Sequence, residues 1–332
     1  MNFVATLIRK VALPASICGA LVSSGAVAQA AAHSGIGVNA PLPAAAAGFK
    51  TLTFSTMSNF RTGTVDMGLT QKSGYQWYFC NLYGTKASSA TTTLNADGSV
   101  TFASFANNAN CGMTSITQTY TAPYFKGTAF GGGAYFEATL AFNPATINTA
   151  TGWPSWWTMS VEHLNGDHGD QWPGQATGYT HFMEPDIFEA NLGPYGLPAN
   201  VYNGSMHDWY GVWNKTCSAF CQVSSSWNTN VRYVPSGTNF NNYHRYGLLW
   251  VTATATTPGS FTYYFDGVQV GPKVTYTKYT GQAPKPTTST PWTFGEVDQQ
   301  HLVLILGTGA STPMKVQSVQ VWQASAAGNQ HY

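Results

Sequence analysis

Charge is the first thing the 332-residue sequence lacks: Asp, Glu, Lys and Arg make up 8% of it, against roughly a quarter of an average soluble domain. Fourteen basic residues face 13 acidic ones, a net charge of +1. No cationic stripe is available to neutralise a phosphate backbone, so nucleic acid is not an expected partner. Cysteine is scarce as well, with five in the chain, and no His/Cys spacing suits a zinc site. Neither a phosphate-cradling glycine loop nor a G-x-S-x-G nucleophile turn occurs. The one sustained apolar run, Val11 to Val22, is short and broken by Pro14, which argues against a membrane span. Helical periodicity and internal repeats are also missing.

What is abundant points to strands. Aromatics reach 14%, and 34 glycines accompany dense Thr, Ser and Asn, a composition that suits short strands and tight turns better than helices. Residues 1–30 read as a secretory signal peptide: Arg9 and Lys10, the apolar run, then Ala26-Val27-Ala28-Gln29-Ala30, with cleavage after Ala28 or Ala30. The expected location is therefore extracellular or periplasmic. Residues 31–49 are Ala- and Pro-rich and read as a linker or frayed arm, and 50–332 as one domain. Within it, strand-type segments recur at Tyr75–Phe79, Ser99–Phe105, Tyr135–Phe142, Phe182–Phe188, Tyr246–Thr252, Phe261–Phe265, His301–Leu306 and Val316–Trp322. In the last, alternation puts Val316, Ser318, Gln320 and Trp322 on one face. Asn95-Ala96-Asp97-Gly98 and Asp266-Gly267 are hairpin turns. The expected fold is all-β, a two-sheet antiparallel β-sandwich or jelly roll. Cys18 leaves with the leader, and four cysteines remain with three possible connectivities; Cys80 with Cys111 and Cys217 with Cys221 are favoured over free thiols.

Three of the 13 acids fall within six residues, in Glu184-Pro185-Asp186-Ile187-Phe188-Glu189. On a regular strand Glu184 and Asp186 share a face and Glu189 falls on the other, apolar one. One extra residue at Ile187 or Phe188, a β-bulge, would return Glu189 to its fellow acids. Crowded carboxyls cannot all ionise, so one stays protonated near neutrality while another is charged. Glycoside hydrolysis needs that pair, separated by roughly 5 Å when configuration is retained and more when it is inverted. Residues two apart on a strand lie about 6.5 to 7 Å apart at the backbone, from which side chains can converge.

The segment Glu184 to Glu189 resembles the E-x-D-x-x-E signature of glycoside hydrolase family 16 in its bulged, laminarinase-like form. Flanking patterns fall in the family's order: Gly133-Ala134-Tyr135-Phe136-Glu137-Ala138, Gly152-Trp153-Pro154-Ser155-Trp156-Trp157, Tyr243 to Trp250, Tyr264-Phe265-Asp266-Gly267 and the closing Val316 to Gln323 segment. The resemblance covers most of the chain from about Lys50. It implies a concanavalin A-like sandwich and a retaining endo-hydrolase acting on a polysaccharide, with β-1,3- or mixed-linkage glucan as first substrate. It implies Glu184 as nucleophile, Glu189 as acid/base, Asp186 between them, His207 as a supporting residue, and Trp156 and Trp292 as sugar-binding walls. Apart from the resemblance, Glu137 on its alternating strand is a candidate for the groove, with a surface position the favoured reading. Pro185 departs from the pattern, which has a bulky apolar residue there; proline belongs at edges or irregular points of a sheet. A lectin that keeps the acids without catalysis, and a transglycosylase using the same intermediate, are the alternatives. No cofactor is required. The loop Glu162 to Asp170, with two histidines and three acids, suits structural calcium but reads first as a solvated loop. A monomer is expected.

Overall fold

A computed structural model describes residues 41–104, 110–119, 124–147, 151–164, 179–190, 201–214, 219–220, 225–227, 232–279, 294–310 and 312–332. The leader, Cys217, Cys221, Trp292 and the acidic loop beyond Leu164 lie outside them.

Every expected strand segment contains a strand, and the named strands pair antiparallel in two large sheets. The first runs Val268–Tyr276, Gly259–Phe265, His244–Val251, Ala134–Phe142, Met314–Gln323, Val100–Phe102, Thr92–Leu94, with Thr51–Ser55 also on Met314–Gln323. The second runs Ala219–Phe220, Ser205–Asn214, Tyr179–Glu189, Ser155–Ser160, Leu302–Gly307, Met113–Thr114, Tyr78–Phe79, with Ser225–Trp227 also on Ser205–Asn214. The fold is an antiparallel β-sandwich. Both anticipated turns are present: Asn95 N–H donates to Ser99 O at 2.8 Å with Gly98 at φ +79°, and Asp266 and Gly267 take φ +50° and +80° between paired strands. Positive φ at both central residues matches the twist of the flanking strands.

Strict alternation sorts the side chains. Trp156, Leu302, Leu304, Leu306 and Met183 join Phe136, Ala138, Leu140 and Leu248 of the opposite sheet in the main core. Their neighbours Trp157, Met159, Val303 and Ile305 turn to the far face of the second sheet. There they pack with Phe182, Ile116, Phe125 and the cysteines Cys80 and Cys111, which form the expected disulfide. The second sheet is thus apolar on both faces, and its concentration of strand-forming residues follows from that.

Two expectations need correction. Gln317 is a bulge, since Val316 pairs with Leu140 and Ser318 with Thr139, so Val316 joins Val319 and Val321 in the core and parts from Ser318, Gln320 and Trp322. The second half of the proposed arm is also packed: Ala46 is fully buried, and Leu42 and Phe49 lie with it over Tyr135, Leu249, Tyr264 and Trp322 on the outer face of the first sheet. Arg245 holds that segment through Pro41 O, at 3.4 Å from Nη2. Small residues without periodicity still bury apolar area when they lie over an aromatic face. Glu137 lies on this outer face, buried, accepting from the Tyr135 hydroxyl at 2.8 Å and facing Arg245 Nε at 3.5 Å.

Candidate active site

The acidic strand Tyr179–Glu189 lies between Ser205–Asn214 and Ser155–Ser160. Against the latter, Asp186 faces Trp157 while Phe188 faces Trp156, so Ile187 is the extra residue. Ile187 and Phe188 both enter the main core, and Glu189 returns to the side of Asp186. One carboxylate oxygen of each and one ring nitrogen of His207 lie within 4.8 Å of one another. The bulge is held from several sides. The Tyr202 hydroxyl donates to Ile187 O, Glu189 N–H to Asn203 O at 2.9 Å, and Ala190 N–H to Pro154 O at 2.9 Å. Gly204 is required beside it, because a Cβ there would sit 2.8 Å from the Tyr263 ring and 3.0 Å from Ile187 O.

Pro185 fits its place. Its carbonyl faces Ser155–Ser160 and accepts the Thr158 hydroxyl at 3.0 Å, whereas the backbone ladder on that side begins only at Asp186. A residue's N–H and C=O point the same way in a strand, so the missing donor falls just past the last rung. Further back, the Gln300 side chain replaces the absent strand: Met183 N–H donates to its Oε1 at 3.1 Å and its Nε2 donates to His181 O at 3.0 Å. Behind the acids, His181 is buried with Asp208 on Nε2 and Glu296 Oε2 2.7 Å from Nδ1. These carboxylates push His181 up to about 10 against the opposing effect of burial.

On the acid face the partner strand sets His207 opposite Glu184 and Ser205 opposite Asp186. His207 Nε2 lies 2.9 Å from Asp186 Oδ2, and Ser205 Oγ reaches Asp186 Oδ2 at 3.3 Å and Glu189 Oε2 at 3.5 Å. Each glutamate also receives an indole N–H: Trp209 Nε1 donates to Glu184 Oε2 at 2.6 Å and Trp153 Nε1 to Glu189 Oε1 at 2.9 Å. Burial is the largest cause raising all three carboxyls, each to about 8. The charge of Asp186 raises both glutamates further. His207 and Trp209 pull Glu184 down, while Trp153, His207 and Ser205 pull Glu189 down. Crowded into one buried site, the three carboxyls bind protons as a group rather than one by one. Asp186, Glu189 and His207 also have the donor atoms and spacing of a three-ligand cation site, although each is already engaged in the contacts above.

Of the residues named from sequence, Glu184, Asp186, Glu189 and His207 come together. Trp156 does not: it is fully buried in the core, because Phe188, its partner across the bulge, is a core residue. Trp292 lies outside the described residues. Sequence reasoning counts Trp153 and Trp209 among the tryptophans available to a sugar groove but prefers Trp156 and Trp292; the structure brings the indole donors of Trp153 and Trp209 onto the acids. Alternation from Glu184 through its partner His207 would have placed Trp209 beside the site once the strand pairing was known. Glu162 accepts from Ser160 Oγ and His301 N–H at 2.9 and 3.0 Å and lies 2.6 Å from His301 Nδ1.

No family model and no curated protein matches the chain. Among 21 matching solved chains is endo-1,3-β-glucanase from Streptomyces sioyaensis, at 19% identity over 85% of this chain and 98% of that one, with a TM-score of 0.46. A carbohydrate esterase from the Shiga toxin-encoding bacteriophage phi24B follows at 13% identity, 83% and 99% coverage and a TM-score of 0.37. Lectin I from Ulex europaeus, in complex with the methyl glycoside of α-L-fucose, gives 10% identity, 81% and 96% coverage and a TM-score of 0.35.

Proposed function

We propose that this chain is a secreted retaining endo-glycoside hydrolase of the family 16 type, cleaving internal β-linkages of a polysaccharide, with β-1,3- or mixed-linkage glucan as first substrate. The observation that carries the reading is the bulge at Ile187, which gathers Asp186 and Glu189 within 4.8 Å on the face of Glu184. Glu184 attacks the anomeric carbon while protonated Glu189 gives its proton to the departing glycosidic oxygen, leaving a covalent glycosyl-enzyme. Glu189, now a base, takes a proton from water, whose oxygen displaces Glu184 and restores the starting charges. Asp186, bonded to His207 and Ser205, adds its charge to the burial that raises the proton affinity of both glutamates. Export rests on the leader pattern of residues 1–30, and the Cys80–Cys111 disulfide suits an oxidising compartment. Among the described residues no helix is long and apolar enough to cross a membrane.

The test is new reducing ends from laminarin and barley β-glucan. Glu184→Ala and Glu189→Ala should each lose on the order of a thousandfold in kcat while staying folded. With azide, Glu184→Ala should give the α-glycosyl azide and Glu189→Ala, with an activated substrate, the β-azide, because azide replaces the nucleophile in one and water in the other. Binding without cleavage by the unaltered protein would replace this reading with a lectin. Products longer than the substrate at high acceptor concentration would replace hydrolysis with transfer.

A further inference from the structure

Tyr83 is held in a conformation that its residue type disfavours. It takes φ +56° and ψ +29° in the turn Leu82–Gly84, a left-handed geometry uncommon for a bulky side chain. The loop around it is tightly anchored. Cys80 is bonded to Cys111, Leu82 is fully buried, and the Asn81 amide both donates to Gln118 O at 2.6 Å and accepts from Gln118 N–H at 2.9 Å. The Thr85 hydroxyl closes the turn on Leu82 O at 2.7 Å. Strain that a rigid surround preserves is found most often at functional sites.

The turn sets the ring at the end of an aromatic run that leads to the acids. Tyr83 lies 6.4 Å from the His163 ring, which stacks on Phe182 at 3.5 Å; Phe182 stacks on Trp209 at 6.4 Å, and Trp209 holds Glu184. The residue is 44% exposed, and desolvation together with the negative charges of Glu184 and Asp186 raises its hydroxyl's pKa above the usual tyrosine value. Among the described residues that hydroxyl has no hydrogen-bond partner. An unengaged donor on a ring open to solvent, at the end of the aromatic run that reaches Glu184, suits a ligand with hydroxyl groups and apolar C–H faces.

We propose that Tyr83 is a substrate-contacting residue, its hydroxyl bonding the sugar unit presented to Glu184 and its ring flanking that unit. This rests on the glycosidase reading and adds to it a residue outside the acidic strand and its neighbours. Tyr83→Phe removes only the hydroxyl, and Tyr83→Gly removes the ring while relieving the left-handed turn. On laminarin or barley β-glucan, Tyr83→Phe should lower kcat/KM about tenfold and Tyr83→Gly about thirtyfold or more. The glycine variant should melt no lower than the unaltered protein. If both variants keep kcat/KM within about twofold, the proposal fails while the hydrolase stands. If the unaltered protein binds these glucans without cleaving them, the hydrolase reading fails; a tenfold weaker Kd for Tyr83→Gly then supports the contact, and an unchanged Kd overturns it. A protein that neither cleaves nor binds either glucan overturns both.

Discussion

Replacing Glu189 by Gln should abolish turnover and make the protein more stable. Burial and the neighbouring Asp186 charge raise this carboxyl from 4.5 to about 8, so between these values the folded chain holds a proton that the unfolded chain has released. Stability from such a group is complete below the unfolded value and is lost as pH rises through the folded one. At pH 7, 2.5 units above the unperturbed glutamate, the full cost is roughly 3 kcal/mol at 1.36 kcal/mol per unit. Glu184 and Asp186 share the same protons, and the amide must still satisfy Trp153 and Ser205, so the expected gain is about 1 to 2 kcal/mol. For a chain of this size that corresponds to roughly 3 to 6 °C in melting temperature. Thermal melts by circular dichroism at pH 4.5, 6, 7 and 8 provide the comparison. The unaltered protein should melt progressively lower across the series, and the Glu189→Gln curve should be flatter and cross above it before pH 7. A variant that melts lower at pH 7, with no change in slope, would refute the claim that like-charged burial dominates this site.

The other expectations are brief. Trp209→Phe removes a donor that favours ionised Glu184 and should move the acidic limb of the kcat/KM–pH profile upward; Trp153→Phe should do the same to the basic limb through Glu189, and unmoved limbs would remove both indoles from the chemistry. His181, raised from 6.5 to about 10 by Asp208 and Glu296, contributes stability that is present below pH 6.5 and lost as pH climbs through 10; His181→Phe should cost about 3 to 5 kcal/mol at pH 6 by denaturant titration and weaken that decline. Replacing both Cys80 and Cys111 by Ser opens a loop with a sequence separation of 31, which should cost about 3 to 4 kcal/mol on the chain-entropy account and lower activity by freeing the Tyr83 turn. Pro185→Ala should cost about 1 to 2 kcal/mol, since it frees the unfolded backbone and adds a buried N–H past the end of the ladder; equal or greater stability would show that the Thr158 hydroxyl can accept it.

The catalytic bulge and the bulge at Gln317 obey the same rule and differ in how far residue types announce them. At Glu189 a regular strand would bury a carboxylate among Ile187 and its neighbours, and that cost signals the extra residue. At Gln317 the regular reading sets Val316 beside Ser318 and Gln320, which an outer face tolerates, so nothing in the local pattern forbids it. The shift to Val316, Val319 and Val321 follows from pairing with Ala134–Phe142, a partner distant in sequence. The same limit misplaced Trp156. Two adjacent tryptophans on a strand must face opposite ways, but which one turns inward is decided by Phe188 across the bulge and Leu306 on the other side.

Residues that complete the acid face were legible in proportion to how local their cause is. The Glu184, Asp186 and Glu189 set arises within one strand, and His207 stands opposite Glu184 in the next. Trp153 reaches Glu189 from the segment before Ser155–Ser160, Gln300 fills the missing rung from beyond the short 3-10 helix Phe294–Gln299, and Tyr83 arrives on a turn fixed by a disulfide. Each is an ordinary residue type whose position depends on contacts far along the chain. Tyr83 alone among them bears a mark that geometry exposes and sequence hides: a left-handed backbone at a tyrosine, followed by Gly84 at φ +70°, where glycine in place of Tyr83 would ease the turn. Strain retained at that position, on a loop already rigid enough to hold any residue, is more simply explained by what the ring touches than by what the turn requires.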